Sequence, residues 1–179
     1  MSMMAVSYGQ ALYSLAKEEK LEEQILLQLQ TLQGAFDYEP DYLRLLATPN
    51  LSKDERCEIL DKGFRGKVHP YVLNFMKLLT EKGYIRGFSN CLKSYQLLYD
   101  ADNGILNVLA VTAVALKPEQ SERLNGKLAH ITGKKIRLQN RVDTTCLGGV
   151  RLDYDGKQLD GTVQSHLDAI RDMLKNTVL

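Results

Sequence analysis

"LGGVRLDYDGKQLDG", residues 147–161, decides how the second half of the chain folds. Val150, Leu152 and Tyr154 alternate with Arg151 and Asp153, the period of a strand with one buried face. Asp155-Gly156 follows at once, and this pair favours the positive φ angles of a two-residue hairpin turn. Gly148-Gly149 precedes a strand instead of linking a strand to a helix, so it does not read as a dinucleotide loop. The stretch is a hairpin.

Working outward from it, "KKIRLQNRV" at 134–142 also alternates, with Ile136, Leu138 and Val142 set against Lys135, Arg137 and Arg141. Before it, Pro118 opens a helix with apolar Leu124, Leu128 and Ile131, and Gly133 closes it. "ILNVLAVTAVAL" at 105–116 is rich in β-branched residues and reads as a strand. Downstream, Val163, Leu167, Ile170 and Leu174 recur at four, three and four, which predicts a last helix from about Thr162.

Before Gly104 the period is helical throughout. Tyr8, Ala11, Leu12 and Leu15 form one apolar face, and Leu21, Ile25, Leu29 and Leu32 form the next. A short third helix carries Tyr42, Leu45 and Leu46 and stops before Pro49. Ser52-x-x-Glu55 is a capping box for the fourth, which buries Ile59 and its neighbours. The fifth runs from Pro70 to Gly83, and the sixth, over about 85–102, uses Phe88, Leu92, Tyr95 and Tyr99. The expected fold class is α+β: a six-helix bundle over 1–104, then a small β-α-β-β-α domain over 105–179, joined by a short hinge.

The composition excludes several classes. With 44% hydrophobic and 25% charged residues among 179, the chain is an ordinary globular protein able to bury a core without a staple. The 23 Lys and Arg nearly balance the 22 Asp and Glu, so no global field draws in nucleic acid. Cys57, Cys91 and Cys146 have no paired spacing and read as reduced thiols. The start "MSMMAVSYGQ" has no secretory pattern and no run of 18 apolar residues follows, so membrane association is expected only through a partner.

The motifs with chemical meaning are weak. "GFRGKV" at 63–68 lacks the glycine spacing and the Ser or Thr of a phosphate loop. "DADNG" at 100–104 has its glycine one position early for a calcium loop, and Val111 stands where a bidentate glutamate belongs. His69, His130 and His166 are scattered, and Asp153, Asp155 and Asp160 are residues that turns select for backbone reasons. No catalytic, cofactor-binding or metal-ligating residue is expected, although a site built from residues distant in sequence leaves no motif. The basic strand 134–141 reads as a solvated face or as a docking surface for an acidic partner. A nucleic-acid-binding module is the alternative there, but no aromatic residue among the charges offers a stacking platform.

Four segments carry a family likeness. "YGQALYSLA" at 8–16, "LATPNLSKDER" at 46–56, "VTAVAL" at 111–116 and, most specifically, "VDTTCLGGVRLDYDGKQLDGTVQSHLDAIRDML" at 142–174 resemble the delta subunits of bacterial ATP synthases. The same family includes the mitochondrial oligomycin-sensitivity-conferring proteins. The likeness spans essentially the whole chain. Gly9 in place of Ala, Tyr84 where Arg often follows the glycine, and Val114-Ala115 without a proline are departures.

The resemblance implies a non-catalytic stator adaptor that joins the catalytic head to the peripheral stalk and resists rotor torque. It implies that the helical domain binds the amino-terminal helix of one alpha subunit between its first and fifth helices. Tyr8, Ala11, Leu12, Leu15, Phe75, Leu78 and Leu79 are the residues there; Tyr8, Ala11, Phe75 and Leu78 are expected to face the partner and Leu12 and Leu79 to lean inward. It implies that the second domain binds the carboxy terminus of the stalk b subunit, with Lys135, Arg137, Arg141, Val163, Leu167 and Ile170 as candidates. No cofactor and no nucleic acid are implied. The expected setting is a single copy per complex on the cytoplasmic face of a bacterial cell membrane. A small helical adaptor of another kind remains the alternative.

Overall fold

The computed structural model describes residues 3–48, 50–146 and 148–162. The chain divides into two compact units, Met1–Asp100 and Ala101–Leu179.

The first unit is helical: α1 (Met3–Glu18), α2 (Glu22–Tyr38), α3 (Pro40–Leu46), α4 (Lys53–Phe64), α5 (Pro70–Glu81), a 3-10 turn at Ile85–Gly87, and α6 (Phe88–Asp102). Local chemistry starts several of these. Ser52 Oγ accepts the Glu55 N–H at 3.2 Å while Glu55 Oε2 accepts the Ser52 N–H at 2.8 Å, a closed capping box. Those bonds from Ser52 hold the Glu55 carboxyl below its usual range. His69 caps α5 by accepting the Tyr71 N–H at 3.3 Å, Pro70 fills the first helical position, and Gln28 Oε1 takes the His69 N–H at 2.7 Å. That last bond ties the start of α5 to α2.

One core fills this unit, with Ile25, Leu29, Leu60, Val72, Met76, Leu79, Ile85, Phe88 and Tyr95 almost wholly buried. Tyr95 is edge-on to Tyr13 at 5.2 Å and donates its hydroxyl to Glu22 O at 2.9 Å, so the one polar atom of a buried ring is satisfied. Burial raises its phenol pKa well above the ordinary value. Helices α1 and α6 are pressed together at Gly9, where an added Cβ would lie 2.5 Å from the Cys91 carbonyl oxygen. Ser94 Oγ donates to Val6 O across the same contact at 3.1 Å.

Three expectations change here. Leu45 is 43% exposed, because a helix of seven residues turns only Leu46 fully inward, with Tyr42 half-buried. Leu60, rather than Ile59, is the fully buried residue of α4. Helix α6 starts at Phe88, since the Gly87 N–H bonds Tyr84 O at 2.8 Å and tightens 85–87 into a 3-10 turn.

Among its described residues the second unit is a mixed sheet with one helix packed on it: β1 (Ile105–Thr112), α7 (Pro118–Thr132), β2 (Lys135–Val142), β3 (Gly149–Tyr154) and β4 (Lys157–Thr162). The strand order is β2-β1-β3-β4; β2 runs parallel to β1 through the α7 crossover, and the other pairs are antiparallel. Leu106, Val108, Ala110 and Leu152 form its core, covered by Leu124 and Leu128 of α7 and flanked by Ile136, Leu138 and Val150. The opening hairpin closes on Asp155 (φ 46°) and Gly156 (φ 70°), both in the left-handed region that a two-residue turn of this hand demands.

The β-α-β-β-α pattern is corrected by one strand. Both arms of the hairpin are strands, and the second, Lys157–Thr162, pairs in register with β3. Thr162 therefore ends β4 and is buried instead of starting a helix. The helix expected after it, with Val163, Leu167, Ile170 and Leu174, lies outside the described residues. β1 also ends earlier than expected: Thr112 Oγ1 donates to Val114 O at 2.7 Å, the chain bends away, and Val114 is 73% exposed. Ile131 is 77% exposed, so only the first turns of the apolar face of α7 pack on the sheet.

Candidate functional site

Helices α1 and α5 present matching ridges. Tyr8, Ala11, Leu12 and Leu15 stand at three- and four-residue steps on α1, and Tyr71, Asn74, Phe75 and Leu78 repeat that spacing on α5. Between them runs a groove of about 390 Å³ lined by these eight side chains. Phe75 and Leu12 are nearly buried and belong to the floor, where they also pack the core. Leu15 and Leu78, 37% and 39% exposed, form walls of the groove. Tyr8, half-buried, leans on the Tyr84 ring at 5.9 Å. Ala11 is exposed and small, which lowers the rim midway.

Of the residues singled out from the sequence, the structure brings Tyr8, Ala11, Leu12, Leu15, Phe75 and Leu78 to this groove. Leu79 is fully buried and does not line it, because it points from α5 into the core one residue round from Leu78. Tyr71 and Asn74 escaped the sequence reading. Their signal was the spacing: each stands three or four residues before Phe75 or Leu78, but Asn74 is polar and breaks an apolar pattern.

No charged side chain lines the groove. Its polar atoms are the Tyr8 and Tyr71 hydroxyls and the Asn74 amide, which is a sparse set on an apolar surface. Such a surface rewards an apolar helix face.

On the second unit, Lys135, Arg137 and Arg141 lie on β2, the outermost strand next to β1. Arg137 Nη1 donates to Asn107 Oδ1 at 3.1 Å across that pair. Val163, Leu167 and Ile170, the other candidates for this surface, lie outside the described residues. The structure thus gathers the three cations on one strand.

The remaining polar groups have structural work. Asp61 Oδ2 accepts from Lys77 Nζ at 2.7 Å and ties α4 to α5; that bond, with help from Arg65, lowers the Asp61 pKa. Asp143 is likewise lowered by the Thr145 hydroxyl and N–H, which close a turn after β2. Asp160 Oδ1 accepts the Thr162 N–H at 2.9 Å, and Arg151 faces Asp153 at 3.4 Å. Burial, then the Glu81 carboxylate 3.8 Å away, pushes the Cys57 thiol up; burial lifts Cys91 to about 11. Neither is the activated thiolate of a nucleophile. Gly66 (φ 78°) makes "GFRGKV" a turn after α4, and Gly104 (φ 60°) makes "DADNG" a helix end. Among the described residues no His, Cys, Asp or Glu cluster could hold a metal, and no helix is long and apolar enough to cross a membrane.

Residues 4–174 match the family model described as ATP synthase delta (OSCP) subunit. The chain is similar to the protein named ATP synthase subunit delta from Alkaliphilus oremlandii, 30% identical over 177 residues, covering 99% of this chain and 98% of that one. It is also similar to the protein of the same name from Lactobacillus gasseri, 31% identical over 172 residues, with 96% and 94% covered. In fold it matches a chain from the cryo-electron microscopy structure of the Toxoplasma gondii mitochondrial ATP synthase hexamer. There the TM-score is 0.77 and the identity 16%, over 97% of this chain and 98% of that chain.

Proposed function

Because the chain belongs to the ATP synthase delta (OSCP) subunit family, it is a structural, non-catalytic component of the stator, and we propose how its two units divide that work. The groove between α1 and α5 takes the amino-terminal helix of an alpha subunit from the catalytic head. The sheet unit takes the carboxy terminus of the stalk b subunit. The protein is then a tie between head and stalk, held peripherally at the cytoplasmic face of a bacterial membrane through its partners.

The observation that carries this reading is the groove itself: eight side chains from two helices, none charged, shaped for an amphipathic helix. Leu15 and Leu78 keep more than a third of their surface in water, which a partner helix would cover. A tie that must hold against torque needs slow dissociation, and apolar burial around fixed aromatic anchors such as Tyr8 and Phe75 supplies it.

Calorimetric titration of the full chain with a peptide of the alpha amino terminus tests the reading. Saturable binding with a negative heat-capacity change and little dependence on salt is the expected result, since no charge lines the site. Binding that collapses between about 50 and 500 mM salt would show that charged surface elsewhere, rather than this groove, makes the contact.

A further inference from the structure

Strand β2, Lys135–Val142, is the outermost strand of the sheet, and among the described residues no strand pairs with its outer edge. Its register shows which main-chain groups face outward. The Lys135 N–H bonds Gly104 O at 3.0 Å and the Asp143 N–H bonds Thr112 O at 2.8 Å, so odd-numbered residues point their main chain at β1. Successive residues of a strand alternate, so the N–H and C=O groups of Ile136, Leu138, Asn140 and Val142 point away from the sheet. Side chains alternate in the perpendicular direction. Ile136 and Leu138 pack on the α7 side, which places Lys135, Arg137 and Arg141 together on the opposite face.

We propose that the outer edge of β2 is a strand-addition site for an extended acidic segment of the peripheral stalk. This rests on the reading above that the sheet unit faces the stalk. The charges choose the occupant. A second copy of β2 laid along the same edge would set cations beside cations and be repelled. An added strand with carboxylates at alternate positions would meet Lys135, Arg137 and Arg141 across the strand, while its main chain satisfies the four outward positions. Its intervening residues would be apolar, because they fall beside half-buried Ile136 and Leu138 and beside Val142, which is 47% exposed. The other sheet edge differs: β4 carries Lys157 and Asp160, one charge of each sign, and so offers an acidic strand no row of cations.

Residue-resolved amide exchange on the full chain, alone and with a soluble carboxy-terminal fragment of the b subunit, tests this. The N–H groups of Ile136, Leu138 and Val142 are expected to slow by about tenfold or more on binding, while those of Arg137, Gln139 and Arg141 are slow in both states. The double variant Lys135→Glu/Arg141→Glu, at two exposed positions, is expected to weaken binding by about tenfold at 50 mM salt, with the deficit shrinking near 500 mM. A fragment that binds while the outward amides exchange at their free rate overturns strand addition and leaves the stalk assignment standing. A fragment that does not bind overturns both. Outward amides protected in the chain alone, with a dimer in sedimentation, would give the edge to a second copy and overturn the proposal.

Discussion

Replacing Gly9 by alanine should destabilise the helical unit, although alanine is the better helix former. In the interior of α1 the exchange gains about 1 kcal/mol of propensity. The new Cβ, however, would lie 2.5 Å from the Cys91 carbonyl oxygen, 3.2 Å from its carbon and 2.9 Å from Ser94 Cβ. None of these atoms can rotate away, so α1 must move off α6. Overpacking of this kind costs about 1–3 kcal/mol. The shift also strains the 3.1 Å bond from Ser94 Oγ to Val6 O, for about another 1 kcal/mol. The net loss is about 1–3 kcal/mol, roughly 4–24 °C in the melting point of a unit of this size. Gly34 in α2 and Gly126 in α7 are the controls, since a Cβ at either meets nothing within 4 Å. Gly34→Ala and Gly126→Ala should each stabilise by about 0.5–1 kcal/mol. Urea and thermal unfolding of the three variants, followed by circular dichroism, gives the comparison. A Gly9→Ala protein as stable as its parent would refute the close approach of α1 and α6.

Further expectations follow the same geometry. Ala11→Asp puts a charge on the groove rim and should weaken the alpha peptide by about 2–5 kcal/mol, at least ~30-fold, while the melting curve is kept because Ala11 is exposed; unchanged affinity removes Ala11 from the contact. Asp61→Asn should lower stability at neutral pH: the Asp61 pKa is depressed, so its contribution is complete above the unfolded value near ~4 and is lost as pH falls through the folded value. Melting curves of variant and parent should therefore converge below about pH 4, and a constant gap from pH 7 to 3 would contradict the Lys77 pair. Gly156→Val forces a β-branched residue into φ 70° and should cost about 1–3 kcal/mol in the sheet unit, read by urea unfolding.

What the sequence made legible was what is decided locally. Asp155-Gly156, Ser52-x-x-Glu55 and Pro70 act within four residues of themselves, and the hairpin, the capping box and the start of α5 stand where those residues place them. β4 was missed as a separate strand because Lys157–Thr162 has no apolar alternation; an edge strand can expose nearly every residue and still be held by its ladder. Leu45 and Ile131 fit a helical period yet sit in water, since period says which residues share a face and not whether a neighbour covers it. The groove was half legible for the same reason. The resemblance pointed to the first and fifth helices and the apolar period named Leu12, Phe75 and Leu79 beside Tyr8 and Leu78, with Leu12 and Leu79 leaning inward. Only the packing of the surrounding helices sinks Phe75 to the floor and brings Tyr71 and Asn74 to the groove. The family was legible because its motifs are spread along the chain, from the interior of α1 at 8–16 to the glycine pair and hairpin that begin at 148.

The central claim is that this chain is a bridge, and a bridging assay tests it most directly. The isolated catalytic head and a soluble b-subunit fragment, mixed at micromolar concentration, are run by sedimentation with and without the chain. Head and fragment should sediment together only when the chain is present, and Ala11→Asp should release the head while the fragment stays bound. Cosedimentation of head and fragment without the chain, or a chain that binds one partner only in the absence of the other, would contradict it.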